Sequence, residues 1–217
     1  MTYKPSPKQL PTLRKRPTQS RSRALVDAVA QACLQILDES DEVALTVSHI
    51  AEISGVAVGS IYQYFPNKDA IIALLYERIL DEESEELLKM REKLLGVPLK
   101  PALRSIFANI IRVEKRLSKL NKAFHLRYYS ALHLGMWRGS YLTTTEFIDA
   151  TWLPLLKMYE HEVTCKDQQL AAYLIGNGLR SVIHSVLEDI PAQLESTALL
   201  DSLIAMAMGC LQPPTAD

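Results

Sequence analysis

The stretch GVAVGSIYQYFPNKDAI, residues 55–71, decides how this chain begins to fold. It opens on Gly55, the residue type that most readily ends a helix in the left-handed conformation. It closes on Pro66, which cannot continue a helix, followed by Asn67 as a cap for the next one. Asp69 then sits in a first helical turn, where the helix dipole favours a negative charge. The spacing predicts a short helix over roughly 58–65 and a long helix after it. Ile61 and Phe65 stand four apart and suffice as the buried stripe of the short helix. Tyr62 and Tyr64 lie on either side of that stripe, so at least one is expected at the surface.

Working upstream, Thr46 reads as the N-cap of another short helix, with Ile50, Ala51 and Ile53 inward and Gly55 as its stop. Before it, Leu25/Val26, Val29, Ala32/Cys33 and Ile36/Leu37 recur at three- and four-residue steps and make one apolar stripe. The acidic run DESDE, 38–42, ends that first helix. Pro5, Pro7, Pro11 and Pro17 forbid a continuous helix over residues 1–17, which are expected to form a flexible basic arm. Downstream, helical periodicity persists over roughly 69–94, 100–118, 121–134, 143–163, 167–189 and 192–211. Breaks fall at Gly96/Pro98, near Gly135/Gly139 and at Pro191. Strand-type alternation and internal repeats are absent. The expectation is an all-α chain of about nine helices. A three-helix unit spans 18–66, and a larger helical bundle for ligand binding and dimerisation spans 67–217.

With 217 residues and 48% hydrophobic content, the chain can bury the core of one or two domains. Its net charge of −1 speaks against a nucleic-acid partner only if charge is evenly spread, and it is not. Residues 1–23 hold Lys4, Lys8, Arg14, Lys15, Arg16, Arg21 and Arg23 and no acid, leaving 17 bases against 25 acids beyond them. A basic arm on an acidic body suits an electrostatic contact confined to one end, or a solvated tail. Cys33, Cys165 and Cys210 are widely spaced and without a CxxC pair, so neither a disulfide framework nor a zinc site is indicated. Cys33 and Cys210 lie among apolar residues and are expected in the core. The N-terminal stretch lacks the apolar segment of a secretory signal. The longest apolar run, LIAMAMGCL at 203–211, is about half of what a bilayer span needs. A soluble, cytoplasmic protein with no membrane partner is expected.

Three short helices with glycine at the second turn are the pattern of a DNA-binding helix–turn–helix. The segment LTVSHIAEISGVAVGSIYQYFPNKDAIIALL, 45–75, resembles the DNA-binding domain of the tetracycline-repressor (TetR) family of bacterial transcriptional regulators. The matching residues are Leu45-Thr46, Ile50-Ala51, Gly55-Val56, Ser60, Tyr62, Tyr64-Phe65, Asn67-Lys68, Ile71, Ile72 and Leu75. RPTQSRSRALVDAV, 16–29, is similar to the start of the family's first helix. Two departures stand out. Glu39-Ser40-Asp41 replaces a glycine the family often has at the end of its first helix, and Ala57 replaces a serine after Gly-Val. Ala57 has no side-chain oxygen to cap the third helix, a loss of about 1 kcal/mol. Neither departure removes an expected DNA contact.

The resemblance implies sequence-specific binding of double-stranded DNA, yet no arginine or lysine lies between Gly55 and Asn67. Affinity for DNA comes largely from cations against phosphate, whereas specificity comes from base edges. The two tasks are therefore expected on different residues. Helix N-termini with Thr46, Ser48 and Lys68, the hydroxyls of Tyr62 and Tyr64, and the cations Arg14, Lys15, Arg16 and Arg21 hold the backbone. Val58, Gly59, Ser60 and Gln63 lie nearest the bases. Gln63 can pair with adenine, Val58 can touch a thymine methyl, and Gly59 allows close approach. The bland alternative makes Tyr62 and Tyr64 core aromatics and the arm a mere tail.

Of fifteen aromatic residues, eight fall within 124–159. On KAFHLRYYSALHLGMW, one row at four-residue spacing holds Phe124, Tyr128, Leu132 and Met136, and its neighbour holds His125, Tyr129, His133 and Trp137. An apolar row beside one with hydrogen-bonding tips suits a small-molecule pocket, or plain core packing with two satisfied histidines. In the resembled family this region lines an effector site, which makes Phe124, His125, Tyr128, Tyr129, His133, Trp137 and Trp152 its candidate lining.

In LAAYLIGNGLRSVIHSVL, 170–187, Gly176 and Gly178 lower helix propensity, as expected where another helix approaches closely. ALLDSLIAMAMGCL, 198–211, is apolar nearly all round. Resemblance and composition agree on a homodimer through roughly 167–189 and 192–211, reading a palindromic operator.

A catalytic reading has little to stand on. GxSxG, HExxH, P-loop and GxGxxG patterns are absent, and YEHEVTC offers only Glu160, His161, Glu162 and Cys165 near one another. His161 and Cys165 could share a helix face and hold a metal, but a charged helix end is usually just solvated. No catalytic residue, metal or cofactor is assigned. The expectation is a ligand-responsive regulator, more a repressor than an activator. The alternative is a helical ligand-binding protein or small enzyme without DNA function.

Overall fold

The computed structural model describes residues 11–15, 17–39, 45–133 and 144–212. Among these residues the regular structure is helical throughout. It comprises α1 (Ser20–Glu39), α2 (Val47–Ser54), α3 (Val58–Tyr64), α4 (Lys68–Lys93), α5 (Leu99–Leu120), α6 (Lys122–His133), α7 (Thr144–Met158), α8 (Gln168–Asp189) and α9 (Thr197–Leu211). A 3-10 helix at Pro191–Glu195 precedes α9. The fold is all-α, an N-terminal helix–turn–helix followed by a helical C-terminal domain. None of these helices is long and apolar enough to cross a membrane.

Two compact units divide the chain, Met1–Ser84 with Lys119–Ala131, and Glu85–Ser118 with Leu132–Asp217. The first has a core of Val26, Val29, Cys33 and Ile36 from α1, Leu45, Ile50 from α2, Ile61 and Phe65, and Ile71, Ile72, Leu75 and Tyr76 from α4. Burying each such side chain contributes about 1.5–3 kcal/mol. Burial also pushes the Cys33 thiol up to about 12, because a thiolate there would lose its hydration.

In the second unit α8 packs against both α7 and α9. Ile148, Trp152 and Leu156 of α7, Ala172, Ile175 and Ile183 of α8, and Leu203, Ile204 and Ala207 of α9 are buried. Phe107 of α5 meets Trp152 edge to face at 6.1 Å between ring centroids.

The structure departs from the periodicity in four places. Helix α7 ends at Met158 rather than near 163, because a tight turn forms in which Glu162 donates its N–H to the Tyr159 carbonyl. Tyr159 donates its hydroxyl to the Leu94 carbonyl at 3.1 Å, and the Glu162 carboxylate accepts the Leu99 N–H at 3.0 Å. His161 and Cys165 consequently share no helix face. The expected helix 192–211 is split, since Ser196 caps α9 through the Ala198 N–H. Ile53 is exposed, burial in α2 being confined to Ile50. Cys210 is half-buried near the end of α9, not in the core.

Candidate nucleic-acid interface

Each helix boundary of the helix–turn–helix has a local cause. Thr46 Oγ1 accepts the His49 N–H at 3.2 Å, satisfying a donor the first turn of α2 cannot pair internally. Gly55 ends α2 with φ +66°, a left-handed conformation that a side chain would disfavour. Ala57 opens α3 without any side-chain cap, so only the backbone starts that helix. Asn67 Oδ1 accepts the Ala70 N–H at 3.0 Å and starts α4.

These stops hold α3 so that it packs on α1 and α2 with Ile61 and Phe65 fully buried. Its opposite side faces solvent. Val58 is 40% and Tyr62 44% exposed, Gly59 and Gln63 are exposed, and Ser60 and Tyr64 are half-buried. Beyond its own helix backbone, a Cβ on Gly59 would meet no atom of the described residues within 4 Å, so packing among them does not require glycine there. Thr46 and Ser48 are exposed at the start of α2, and Lys68 is half-buried at the start of α4.

Cations from the N-terminal stretch stand beside this surface. The Arg14 N–H donates to the Tyr64 carbonyl at 2.8 Å, and Lys15 Nζ stands over the Tyr64 ring, 4.6 Å from its centroid. Arg14, Lys15 and Arg21 are exposed. Arg16 lies outside the described residues. Nothing in the sequence pointed to the Arg14–Tyr64 bond, which depends on a chain crossing rather than on local spacing.

Residues 43–75 match the family model described as "Bacterial regulatory proteins, tetR family". This helix–turn–helix is TetR-like. The TetR-like segment carries the helix–turn–helix of a DNA-binding transcriptional regulator. Against curated proteins the chain has no match. Among the solved structures similar to this chain, two have a TM-score of 0.49 each. One is a TetR transcriptional regulator from Rhodococcus sp. RHA1, 19% identical, with 89% of this chain and 97% of that one covered. The other is the fatty acid degradation regulator FadR from Bacillus halodurans, 21% identical, with coverage of 91% and 99%.

The candidate effector residues are divided. Phe124, His125, Tyr128 and Tyr129 meet in the first unit. Tyr76 of α4 lies 5.1 Å from Phe124 and 5.8 Å from His125, Phe124 lies 4.6 Å from Tyr128, and His125 lies 5.3 Å from Tyr129, between ring centroids. Phe124, His125 and Tyr129 are buried and Tyr128 is half-buried. Nothing local in the sequence marks Tyr76, which follows Ile72 by four residues on α4. Its hydroxyl donates to the Asn121 carbonyl at 3.1 Å. Trp152 belongs to the second unit, His133 ends α6, and Trp137 lies outside the described residues. An open recess of about 310 Å³ in the second unit is lined by other residues, among them Ile148, Asp149, Asp167 and Tyr173.

Proposed function

We propose that this TetR-like chain is a ligand-responsive repressor that binds a palindromic operator as a homodimer. The observation that carries this reading is the two-sidedness of α3. Ile61 and Phe65 anchor it inward while Val58, Gly59, Tyr62 and Gln63 face solvent. Val58, Gly59, Ser60 and Gln63 read base edges in the major groove. Thr46, Ser48, Tyr62, Tyr64 and Lys68, with Arg14, Lys15, Arg16 and Arg21, hold phosphates.

Homodimerisation uses α8 and α9, whose outward faces carry Leu170, Tyr173, Leu174 and Met206, all more than 40% exposed. Gly178 and Gly209 also have open space at the Cβ position, which leaves room for a closely packed partner helix. A two-fold dimer sets its two reading helices one DNA turn apart, about 34–36 Å.

For the response, an effector near α6 acts on α4 through the aromatic cluster. Tyr76 packs on Phe124 and His125, and Arg127 of α6 pairs with Asp69 at 3.4 Å, next to Lys68. An effector shifts operator affinity only if it binds the two arrangements of α4 unequally. Phe124, His125, Tyr128 and Tyr129, which meet in the first unit, are its proposed contacts.

Selection of bound fragments from genomic DNA, followed by salt titration, tests the reading. A palindromic site should be enriched, with log affinity falling by about 0.9 per phosphate contact for each tenfold rise in salt. Failure to enrich any palindrome would sink it.

A further inference from the structure

The short helix α3 ends with carbonyls that have no partner inside the helix, as every helix does. One of them, on Tyr64, is taken by the Arg14 N–H at 2.8 Å. The next residue, Lys15, places its ammonium over the Tyr64 ring at 4.6 Å from the centroid. A backbone bond and a cation–π contact therefore tie two consecutive residues of the N-terminal stretch to the same residue of the reading helix. Leu13 and Pro17 are half-buried on either side, and Pro11 and Pro17 restrict the chain further by fixing φ.

We propose that residues 11–15 form a clasp already closed in the free protein, and that Lys15 and Tyr64 act as one phosphate-binding unit. This rests on the reading of α3 as a DNA-reading helix. A free tail would let its cations settle on any nearby phosphate. The clasp instead fixes the Lys15 ammonium relative to Val58–Gln63, so the phosphate it holds is in register with the bases being read. Tyr64 contributes twice. Its ring holds the ammonium, and its hydroxyl donates to the same phosphate. Closing the clasp before DNA arrives also removes most of the ordering cost from the binding step.

Tryptic cleavage after Arg14 and Lys15 in the DNA-free protein tests the clasp directly. Tyr64→Leu removes the ring and should speed cleavage about two- to fivefold, the factor an exposed cation–π contact supplies. Tyr64→Phe keeps the ring and should cleave at the wild-type rate. Lys15→Met should speed cleavage after Arg14 as Tyr64→Leu does, which gives a second route if Tyr64→Leu disturbs α3. Unchanged cleavage in both Leu and Met variants, with helicity retained, overturns the clasp.

Operator affinity tests the shared phosphate. Lys15→Met and Tyr64→Leu should each weaken binding and flatten its salt dependence, and the double variant should fall within about twofold of the weaker single one. Lys15→Arg should keep the salt slope, because the charge is retained and arginine also stacks on aromatic rings. Tyr64→Phe should lose affinity while keeping the clasp. Losses that simply multiply in the double variant overturn the unit. If the wild-type chain selects no operator, the DNA reading and the phosphate role fall together, whereas the clasp is judged by cleavage alone.

Discussion

Trp152 stands where a side chain on Gly176 would have to go. A Cβ built on Gly176 would lie 2.9 Å from Trp152 Nε1 and 2.2 Å from Ile148 Cδ1. Two residues along the same helix, a Cβ on Gly178 would meet nothing within 4 Å. One glycine of α8 is thus required by α7, while the other is not required by any of the described residues.

Opposite outcomes follow for the two alanine variants. Gly176→Ala forces the indole or α7 to shift and should cost about 1–3 kcal/mol in urea unfolding. Gly178→Ala should stabilise the dilute chain by about 0.5–1 kcal/mol through helix propensity. If α8 forms the dimer interface, it should at the same time weaken self-association in sedimentation experiments. Unchanged association would leave Gly178 outside the interface.

Gly59 invites the same reasoning at the reading head. With open space at its Cβ position, Gly59→Ala should raise stability by about 0.5–1 kcal/mol. If α3 approaches base edges as closely as proposed, operator affinity should fall. A variant that is both more stable and equally tight would remove Gly59 from the contact surface.

Helix capping supplies a paired prediction. Thr46→Ala removes the acceptor for the His49 N–H and should cost about 1 kcal/mol. Ala57→Ser supplies the oxygen that α3 lacks and should gain a similar amount, measured by thermal or urea unfolding. Because α3 has seven residues, the gain should also slow amide exchange across Val58–Tyr64.

Cys33 carries a pH dependence. Its thiol is raised from 9.0 to about 12 by burial, so the folded chain keeps a proton that the unfolded chain loses. The stability this contributes is fully present below pH 9 and is lost as pH rises from there towards about 12. Cys33→Ala should show a shallower alkaline loss of stability than the wild type over that window. Identical slopes would show that other groups govern the alkaline limb.

Much of this protein was legible in one dimension because its determinants are local. Pro66, Gly55, Thr46 and Asn67 act within a few residues of themselves, and the Ile61/Phe65 stripe follows from helical period alone. The same locality made 45–75 recognisable as a TetR-like reading head and exposed its want of basic residues. Tertiary structure decided what depends on distant chain segments. The sequence marks Gly176 and Gly178 alike, and only α7 separates them. Phe124 and His125 read as pocket residues or core, and Tyr76, some fifty positions earlier, is what packs against both. Residues 11–15 read as part of a flexible basic arm, while the free carbonyl at the end of α3 gives Arg14 its partner. Hydrogen-bonding vacancies and close approaches belong to surfaces that meet, and the order of residues along a chain does not record which surfaces those are.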